Sequence, residues 1–322
     1  MEMFNDSKIY VAGHLGLLGS ALVKSLKAGG YNNLVVRTHK ELDLTNSDKV
    51  NEFFQEENPG YVFLAAGLTG GIFASRNYPA TFMSVNITIQ NNVFIAAQKF
   101  SVKHLVFYGS SCVYPRQCPQ PIKEDYLLTG ELEKTSDAYA IAKISGIKAC
   151  EAYNNQYKNN IFIALVPNSM YGPNDNFDPV TSHVLSGLIG KLHYAKMENK
   201  DSVTLWGSGK PMREFVFSED VARASIFAVN NLAKLENKHY NVGSGFDISI
   251  MDLAYMIAGV VGYTGKISWD TDKPDGVFRK FLDSEKFFKL GWKPLIKLEE
   301  GIKNTYKWFL SNAVGKGHEY AR

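Results

Sequence analysis

Tyr139 and Lys143 stand four residues apart in a stretch, Ser136 to Tyr157, whose pattern predicts a helix. Side chains at i and i+4 share one helix face, so this phenol and this ammonium serve one spot. A lysine cation beside a phenol favours phenolate, which predicts a tyrosine pKa drawn down toward the working range. Ser110 follows an apolar run, Leu105 to Tyr108, in the string Gly109-Ser110-Ser111. A serine hydroxyl, a phenol and an ammonium together can polarise a ketone and hand it a proton while a nicotinamide delivers hydride.

The complementary feature is Gly13-His14-Leu15-Gly16-Leu17-Leu18-Gly19, placed after the apolar run Ile9 to Ala12. Glycines spaced G-x-x-G-x-x-G permit a tight turn and a close approach of backbone to a pyrophosphate. The helix that follows contributes free N–H groups and positive potential. Gly13, Leu15, Gly16, Leu17, Leu18 and Gly19 are therefore expected to hold a dinucleotide. An acid ending the second strand would hold the ribose 2′-hydroxyl of NAD. The run Leu34 to Val36 ends instead in Arg37, with His39 close behind, and a basic group suits the 2′-phosphate of NADP. Asp43 and Leu44 are expected at the adenine edge. Ala65, Ala66, Gly67 and Pro167 are expected to line the same cleft from the ends of two further strands.

These groups need a scaffold that brings strand ends together. Apolar runs at Ile9 to Ala12, Leu34 to Val36, Tyr61 to Ala65, Leu105 to Tyr108 and Ile161 to Val166 alternate with helical patterns. Among the latter are Pro79 to Ala97 and Ser136 to Tyr157. Such alternation predicts a Rossmann-type α/β fold, a doubly wound parallel sheet covered on both faces. Its ligands sit outside the carboxyl ends of the strands. After Pro167 the rhythm breaks, with helices expected at Val184 to Met197, Met251 to Val261 and Gly301 to Leu310. A short strand is expected at Val203 to Trp206, and Tyr240 to Val242 is expected to return to the main sheet. We therefore expect a nucleotide-binding domain over 1–167, with returning segments around 207–243. A smaller C-terminal substrate domain is expected over 168–206 and 244–322.

Composition narrows the field. The 322 residues are 45% hydrophobic and 21% charged, with 35 basic against 32 acidic residues. A net charge of +3 without a concentrated basic patch argues against a nucleic-acid partner. No apolar run reaches membrane-spanning length, roughly 18–20 residues. Cys112, Cys118 and Cys150 are too few for a disulfide framework and fit a reducing compartment, so the cytoplasm is the expected setting. No metal site is read from the sequence.

The glycine turn, Ser110 and Tyr139-Ala-Ile-Ala-Lys143 resemble the extended short-chain dehydrogenase/reductase family. Longer strings narrow the likeness to its GDP-L-fucose synthase branch, the 3,5-epimerase-4-reductases of GDP-4-keto-6-deoxymannose. They are Gly109-Ser-Ser-Cys-Val-Tyr-Pro115, Tyr171-Gly-Pro-Asn-Asp-Asn-Phe177, Ser182-His-Val184 and Trp206-Gly-Ser-Gly-Lys-Pro-Met-Arg-Glu-Phe215. The likeness runs from about Lys8 to Phe309. It implies that Ser110 and Tyr139 hydrogen-bond the ketone of a GDP-linked 4-keto sugar and that Lys143 holds the nicotinamide ribose of NADPH. It gives Cys112 and His183 the epimerisation at C3 and C5, where the C4 ketone acidifies the C–H bonds. It places Asn168, Ser169, His183, Lys191, Trp206, Arg213, Asp275 and Lys280 against the sugar nucleotide. It also implies a homodimer joined through Pro79–Ala97 and Ser136–Tyr157.

The chain departs from that pattern in places. Leu15 and His39 stand where some relatives carry arginine, and Lys191 replaces an arginine, keeping the charge without the bidentate fork. Ser169 stands where the branch has asparagine. Two alternatives remain: a 4-reductase without epimerisation, acting on a related GDP-4-keto sugar such as a 6-deoxy-heptose, and a non-catalytic nucleotide-binding scaffold.

Overall fold

A computed structural model describes residues 3–178, 181–273 and 275–314. The first, six-stranded sheet is wholly parallel. In chain order its strands are β1 (Ile9–Ala12), β2 (Leu34–Val35), β3 (Tyr61–Leu64), β4 (His104–Tyr108), β5 (Phe162–Pro167) and a late arrival, His239–Val242. Their spatial order is β2-β1-β3-β4-β5 and then His239–Val242. These strands are short and apolar because both faces are covered. Tyr10, Ala12, Val62, Leu64, Leu105 and Phe107 point to one face. Ile9, Val11, Tyr61, Phe63, Val106 and Tyr108 point to the other, as the two-residue period requires.

Helices α1 (Leu17–Ala28), α2 (Ser47–Glu57), α3 (Ile72–Asn77), α4 (Pro79–Lys99) and α5 (Asp137–Tyr157) connect the strands up to β5. Helices α2, α4 and α5 bury Phe54, Phe94 and Ile147 against one face. Helix α1 buries Leu22 and Leu26 against the other, where Val221, Ala224 and Ala228 join it. The doubly wound sheet is thus as the alternation predicts, with β2 one residue shorter than expected.

After β5 come β6 (Ser169–Tyr171), α6 (Val184–Met197), β7 (Ser202–Trp206), β8 (Met212–Phe217) and α7 (Ser218–Asn230). The late strand of the first sheet is β9 (His239–Val242). Then follow β10 (Asp247–Ser249), α8 (Ile250–Val261), β11 (Lys266–Asp270), β12 (Arg279–Lys280), α9 (Glu285–Lys289) and α10 (Leu298–Asn312). Strand β8 is the centre of a second sheet, with β10 antiparallel and β6 and β12 parallel to it. Strands β7 and β11 form a separate parallel pair. A third core, with Leu188, Leu192, Leu253, Ile257, Ile302 and Phe309, lies between α6, α8 and α10.

The stretch around 207–243, expected to hold segments returning to the nucleotide half, divides. Strand β8 stays in the second sheet, and only α7 and β9 rejoin the first. Phe287 of α9 and Trp292 also pack on the first sheet, although they fall within 244–322. The run Met212–Phe217 could not say which sheet would accept it, because the choice rests on pairing with β10 and β12. Residues 315–322 of that expected domain lie outside the described residues. Among the described residues no helix is long and apolar enough to cross a membrane.

Candidate active site

The glycine turn sits on the end of β3. Gly13 has φ +79°, and a Cβ there would lie 2.7 Å from the Ala66 nitrogen. A Cβ on Gly19 would lie 2.0 Å from the Gly13 carbonyl oxygen. Gly16 differs, because it is exposed and a Cβ would find only Gly13 O at an ordinary 3.5 Å. Gly16 is also the N-cap of α1, with no side-chain acceptor on the first-turn N–H groups. Those N–H groups are left for an external anion. Leu15 is exposed, while Leu17 and Leu18 begin the helix, with Leu18 in the core. The cradle fits a dinucleotide pyrophosphate.

The turn leads directly to the lysine. A Cβ on Gly67 would lie 3.7 Å from Lys143 Nζ. The buried Asn86 amide on α4 holds this loop, accepting from Leu68 N at 3.1 Å and donating to Leu68 O at 2.9 Å. Sequence reading missed Asn86. Its signal was the polar pair Asn86 and Gln90, one turn apart on the helix side that faces the sheet. Lys143 is buried, and its Nζ donates to Tyr108 O at 3.0 Å. Burial lowers its amine from 10.5 to about 8.

Tyr139 lies one turn before Lys143 on α5, its ring 5.8 Å from Nζ and edge-on to Phe82. Its hydroxyl is near enough to Ser110, at the carboxyl end of β4, to feel that side chain. The expected lowering of the tyrosine pKa is overturned. Burial pushes the phenol well up, the Cys112 charge adds to this, and the Ser110 hydroxyl opposes it. The physical reason is burial of the phenol, and Lys143 spends its nearest contact on a backbone carbonyl. The phenol is thereby kept protonated, the form that gives a proton.

Ser110 caps a short 3-10 turn, Ser111–Val113, accepting from Cys112 N at 3.4 Å. The turn sets Cys112 beside the hydroxyl pair, with Lys280 Nζ 4.0 Å from its Sγ. Lys280 pairs in register with Arg213 of β8. Arg213 donates to Met212 O at 2.7 Å, and Asp275 is the charge acting on its guanidinium. Asp275 in turn accepts from Ser208 N at 2.6 Å and Ser208 Oγ at 2.7 Å. Just before Ser208, Trp206 is 68% exposed, with Lys191 Nζ 5.3 Å and Lys273 Nζ 6.0 Å from its ring. An open indole edged by two ammonium groups suits a base or sugar with attached phosphates. Lys273 was missed; only its place in a charged string before Asp275 marked it.

His183 is exposed at the N-cap of α6. Its approach is fixed by Gly71, whose N–H donates to Thr181 O at 3.1 Å. A Cβ on Gly71 would meet Ser182 O at 2.8 Å, and the neighbouring Gly70 backs onto Phe82, which faces Tyr139.

Other expected residues are placed differently. Arg37 bonds Glu57 at 2.5 Å and lies over the Phe53 ring, so its guanidinium is turned to α2. His39 is exposed, 3.8 Å from Asp43. Asp43 accepts from Thr45, and this holds its carboxyl below the usual range. Leu44 is core, and its carbonyl accepts from Asn92. Pro167 is buried at the end of β5. Asn168 turns inward, donating to Glu214 Oε2 at 2.5 Å and to Lys280 O at 3.4 Å, while Ser169 N donates to it. The buried Glu214 also accepts from Leu282 N and Gly245 N, so Asn168 ties the sheets together beneath the site. Ser169 is half-buried on β6.

The chain matches the family model described as NAD dependent epimerase/dehydratase family over residues 9–243. A putative GDP-L-fucose synthase 2 from Arabidopsis thaliana is 51% identical over 97% of this chain and 94% of its own length. The GDP-L-fucose synthase of Escherichia coli is 46% identical over 96% of this chain and 98% of its own. Among solved structures, a GDP-mannoheptose C4 reductase from Campylobacter jejuni with NADP bound superposes with a TM-score of 0.87 at 41% identity. That match covers 96% of this chain and 99% of the reductase. With the glycine cradle on β3 and the serine, tyrosine and lysine gathered at the end of β4, the chain belongs to the NAD dependent epimerase/dehydratase family.

Proposed function

We propose that this protein reduces C4 of a GDP-linked 4-keto-6-deoxy sugar with NADPH and also inverts C3 and C5, as a GDP-L-fucose synthase does. The observation that carries the reading is the adjacency of the Ser110–Tyr139 hydroxyl pair to Lys143 on one side and Cys112 on the other. One site then holds a ketone-polarising pair and a sulfur within reach of its α-carbons.

The glycine cradle takes the pyrophosphate of NADPH, which supplies the hydride. Lys143 holds the nicotinamide ribose and fixes the helix face that carries Tyr139. Arg37 and His39 are the basic groups for the 2′-phosphate, and Arg37 must then leave Glu57. Asp43 and Leu44 border the adenine, and Ala65, Ala66, Gly67 and Pro167 wall the cleft. Trp206, Lys191, Arg213, Asp275 and Lys280 hold the GDP-sugar. Ser110 and Tyr139 hydrogen-bond O4, which makes the C3 and C5 protons acidic. Cys112 takes a proton from carbon and His183 returns one to the opposite face. Once hydride has reached C4, Tyr139 gives its proton to O4.

The same reading makes the protein a homodimer through α4 and α5, where Ile95, Ile141 and Tyr157 are exposed. It sets the protein in the cytoplasm, where its free cysteines stay reduced. The reductase-only alternative keeps the support of the heptose C4 reductase of the same fold. The two part in D₂O. GDP-4-keto-6-deoxymannose and its 6-deoxy-heptose counterpart are each incubated with enzyme and NADPH. Mass spectrometry and NMR then read the products. The expected result is reduction of the hexose with deuterium at C3 and C5 and inversion of both centres. Reduction of either sugar without deuterium at those carbons establishes the alternative. No NADPH oxidation with any GDP-4-keto sugar leaves the scaffold.

A further inference from the structure

Asn241 on β9 is fully buried, and its side-chain amide has no choice of direction. Its Nδ2 donates to Ile122 O at 2.9 Å and to Asp283 O at 3.1 Å. Two carbonyls can only accept, so the amide oxygen must face the other way and find a donor. That donor is the buried Tyr114 hydroxyl, 2.5 Å from Oδ1. A phenol has one proton to give. The buried His239 Nε2, 3.1 Å from the same hydroxyl, must therefore donate to it. His239 Nδ1 has no hydrogen-bond partner among the described residues, and Glu151 Oε1 stands 4.0 Å away.

The two segments gripped by this amide carry groups that lie beside the Ser110–Tyr139 pair. Tyr114 ends the 3-10 turn that bears Cys112. Asp283 lies three residues after Lys280. Ile122 is bound to that second segment, its N–H donating to Phe281 O at 2.7 Å and its carbonyl accepting from Asp283 N at 2.8 Å. Lys280 Nζ and Cys112 Sγ, 4.0 Å apart, thus belong to two segments that meet at one buried amide. We infer that Asn241, acting with Tyr114, is a positioning residue: it sets the Lys280 ammonium against the Cys112 sulfur. The inference rests on the reading of Cys112 as the group that takes a proton from carbon. Asn241 and the Tyr114 hydroxyl touch neither sugar nor coenzyme in this scheme, so their effect passes through Cys112 and Lys280. A displacement of about 1 Å at a reacting group is enough to cost roughly 10²-fold in rate.

The test uses the full chain and Tyr114→Phe, which keeps the ring and removes the hydroxyl. GDP-4-keto-6-deoxymannose is held with enzyme in D₂O without NADPH, so that only proton exchange at C3 and C5 is read. Tyr114→Phe should slow this exchange roughly 10- to 100-fold. Lys280→Met should slow it too, and the double variant should be little slower than the slower single one, because groups that act as a unit are not additive. Unchanged exchange in Tyr114→Phe overturns the inference. So do losses that multiply in the double variant, the result a merely structural hydroxyl would give. A second measurement is independent of turnover. In wild-type protein carrying ¹⁵N-histidine, with His239→Gln identifying the signals, His239 Nε2 should carry a proton. A bare Nε2 would reverse the Tyr114 bond and leave Asn241 Oδ1 without its donor, which overturns the inference even if Tyr114→Phe does not fold. A wild-type enzyme that takes up no deuterium at C3 or C5 removes the epimerase reading and, with it, the role given to Asn241.

Discussion

Tyr139 and Lys143 show how burial, rather than spacing alone, assigns charge. Four residues of helix bring them to one spot, yet the ammonium bonds a backbone carbonyl and the phenol stays protonated. Tyr139→Phe therefore removes a proton donor while keeping the ring. Reduction should fall roughly 10²–10⁴-fold, with GDP-sugar affinity little changed, as single-turnover NADPH oxidation and equilibrium titration would show. Lys143 carries a stability cost whose sign can be worked out. Its amine is lowered to about 8 from 10.5, so below pH 8 folded and unfolded chains both hold the proton and the full cost of the buried cation is present. Between pH 8 and 10.5 the unfolded chain binds more protons, and stability from this group rises with pH. Lys143→Met should stabilise the ligand-free protein near neutrality, and its advantage over wild type should shrink as pH climbs through that window. Urea unfolding midpoints of both proteins across the window measure this; a constant gap would refute the assignment.

The turn between β1 and α1 separates two uses of glycine at the scale of an element. At Gly19 the added methyl would meet Gly13 O at 2.0 Å, so Gly19→Ala should disrupt the packing of helix on strand. It should lower the melting temperature as well as the NADPH affinity. At Gly16, on the exposed turn, the methyl meets the protein only at an ordinary 3.5 Å and otherwise finds open space. Gly16→Ala should leave the melting temperature nearly unchanged and still weaken NADPH binding, as thermal melts and fluorescence titration would reveal. Equal affinity for NADPH in Gly16→Ala and wild type would remove the pyrophosphate from this turn. Helix α6 was legible from its apolar run, and its N-cap histidine from the neighbouring motif. The bond that ties the preceding loop to the start of that helix was not, because Asp175 meets Ser186 only once β6, the following loop and α6 are folded together.

At the scale of the whole molecule, Ile95 on α4 and Ile141 on α5 are 44% and 43% exposed in a single copy. Exposed apolar side chains on the two long helices are what a shared four-helix interface would cover. Sedimentation should give twice the mass of one chain, and Ile95→Lys with Ile141→Lys should give the single mass with the fold intact. A wild-type protein sedimenting as one chain would remove the dimer. The second sheet binds the two halves from within, since Glu214 of β8 reaches Asn168 after β5, Gly245 after β9 and Leu282 after β12.

Local pattern alone determined the doubly wound sheet, because a strand buried on both faces must be a short apolar run and a helix must cover it. It also determined the glycine turn and the order of Ser110, Tyr139 and Lys143, whose spacing is meaningful within single elements. Tertiary structure decided what depends on neighbours distant in the chain. Strand β8 joined the second sheet because its partners are Asp247–Ser249 and Arg279–Lys280. Asn168 turned to Glu214 because a buried carboxylate needs donors. Arg37 turned to Glu57, an opposite charge twenty residues on. Lys143 took its pKa from burial, which no spacing along the chain could report.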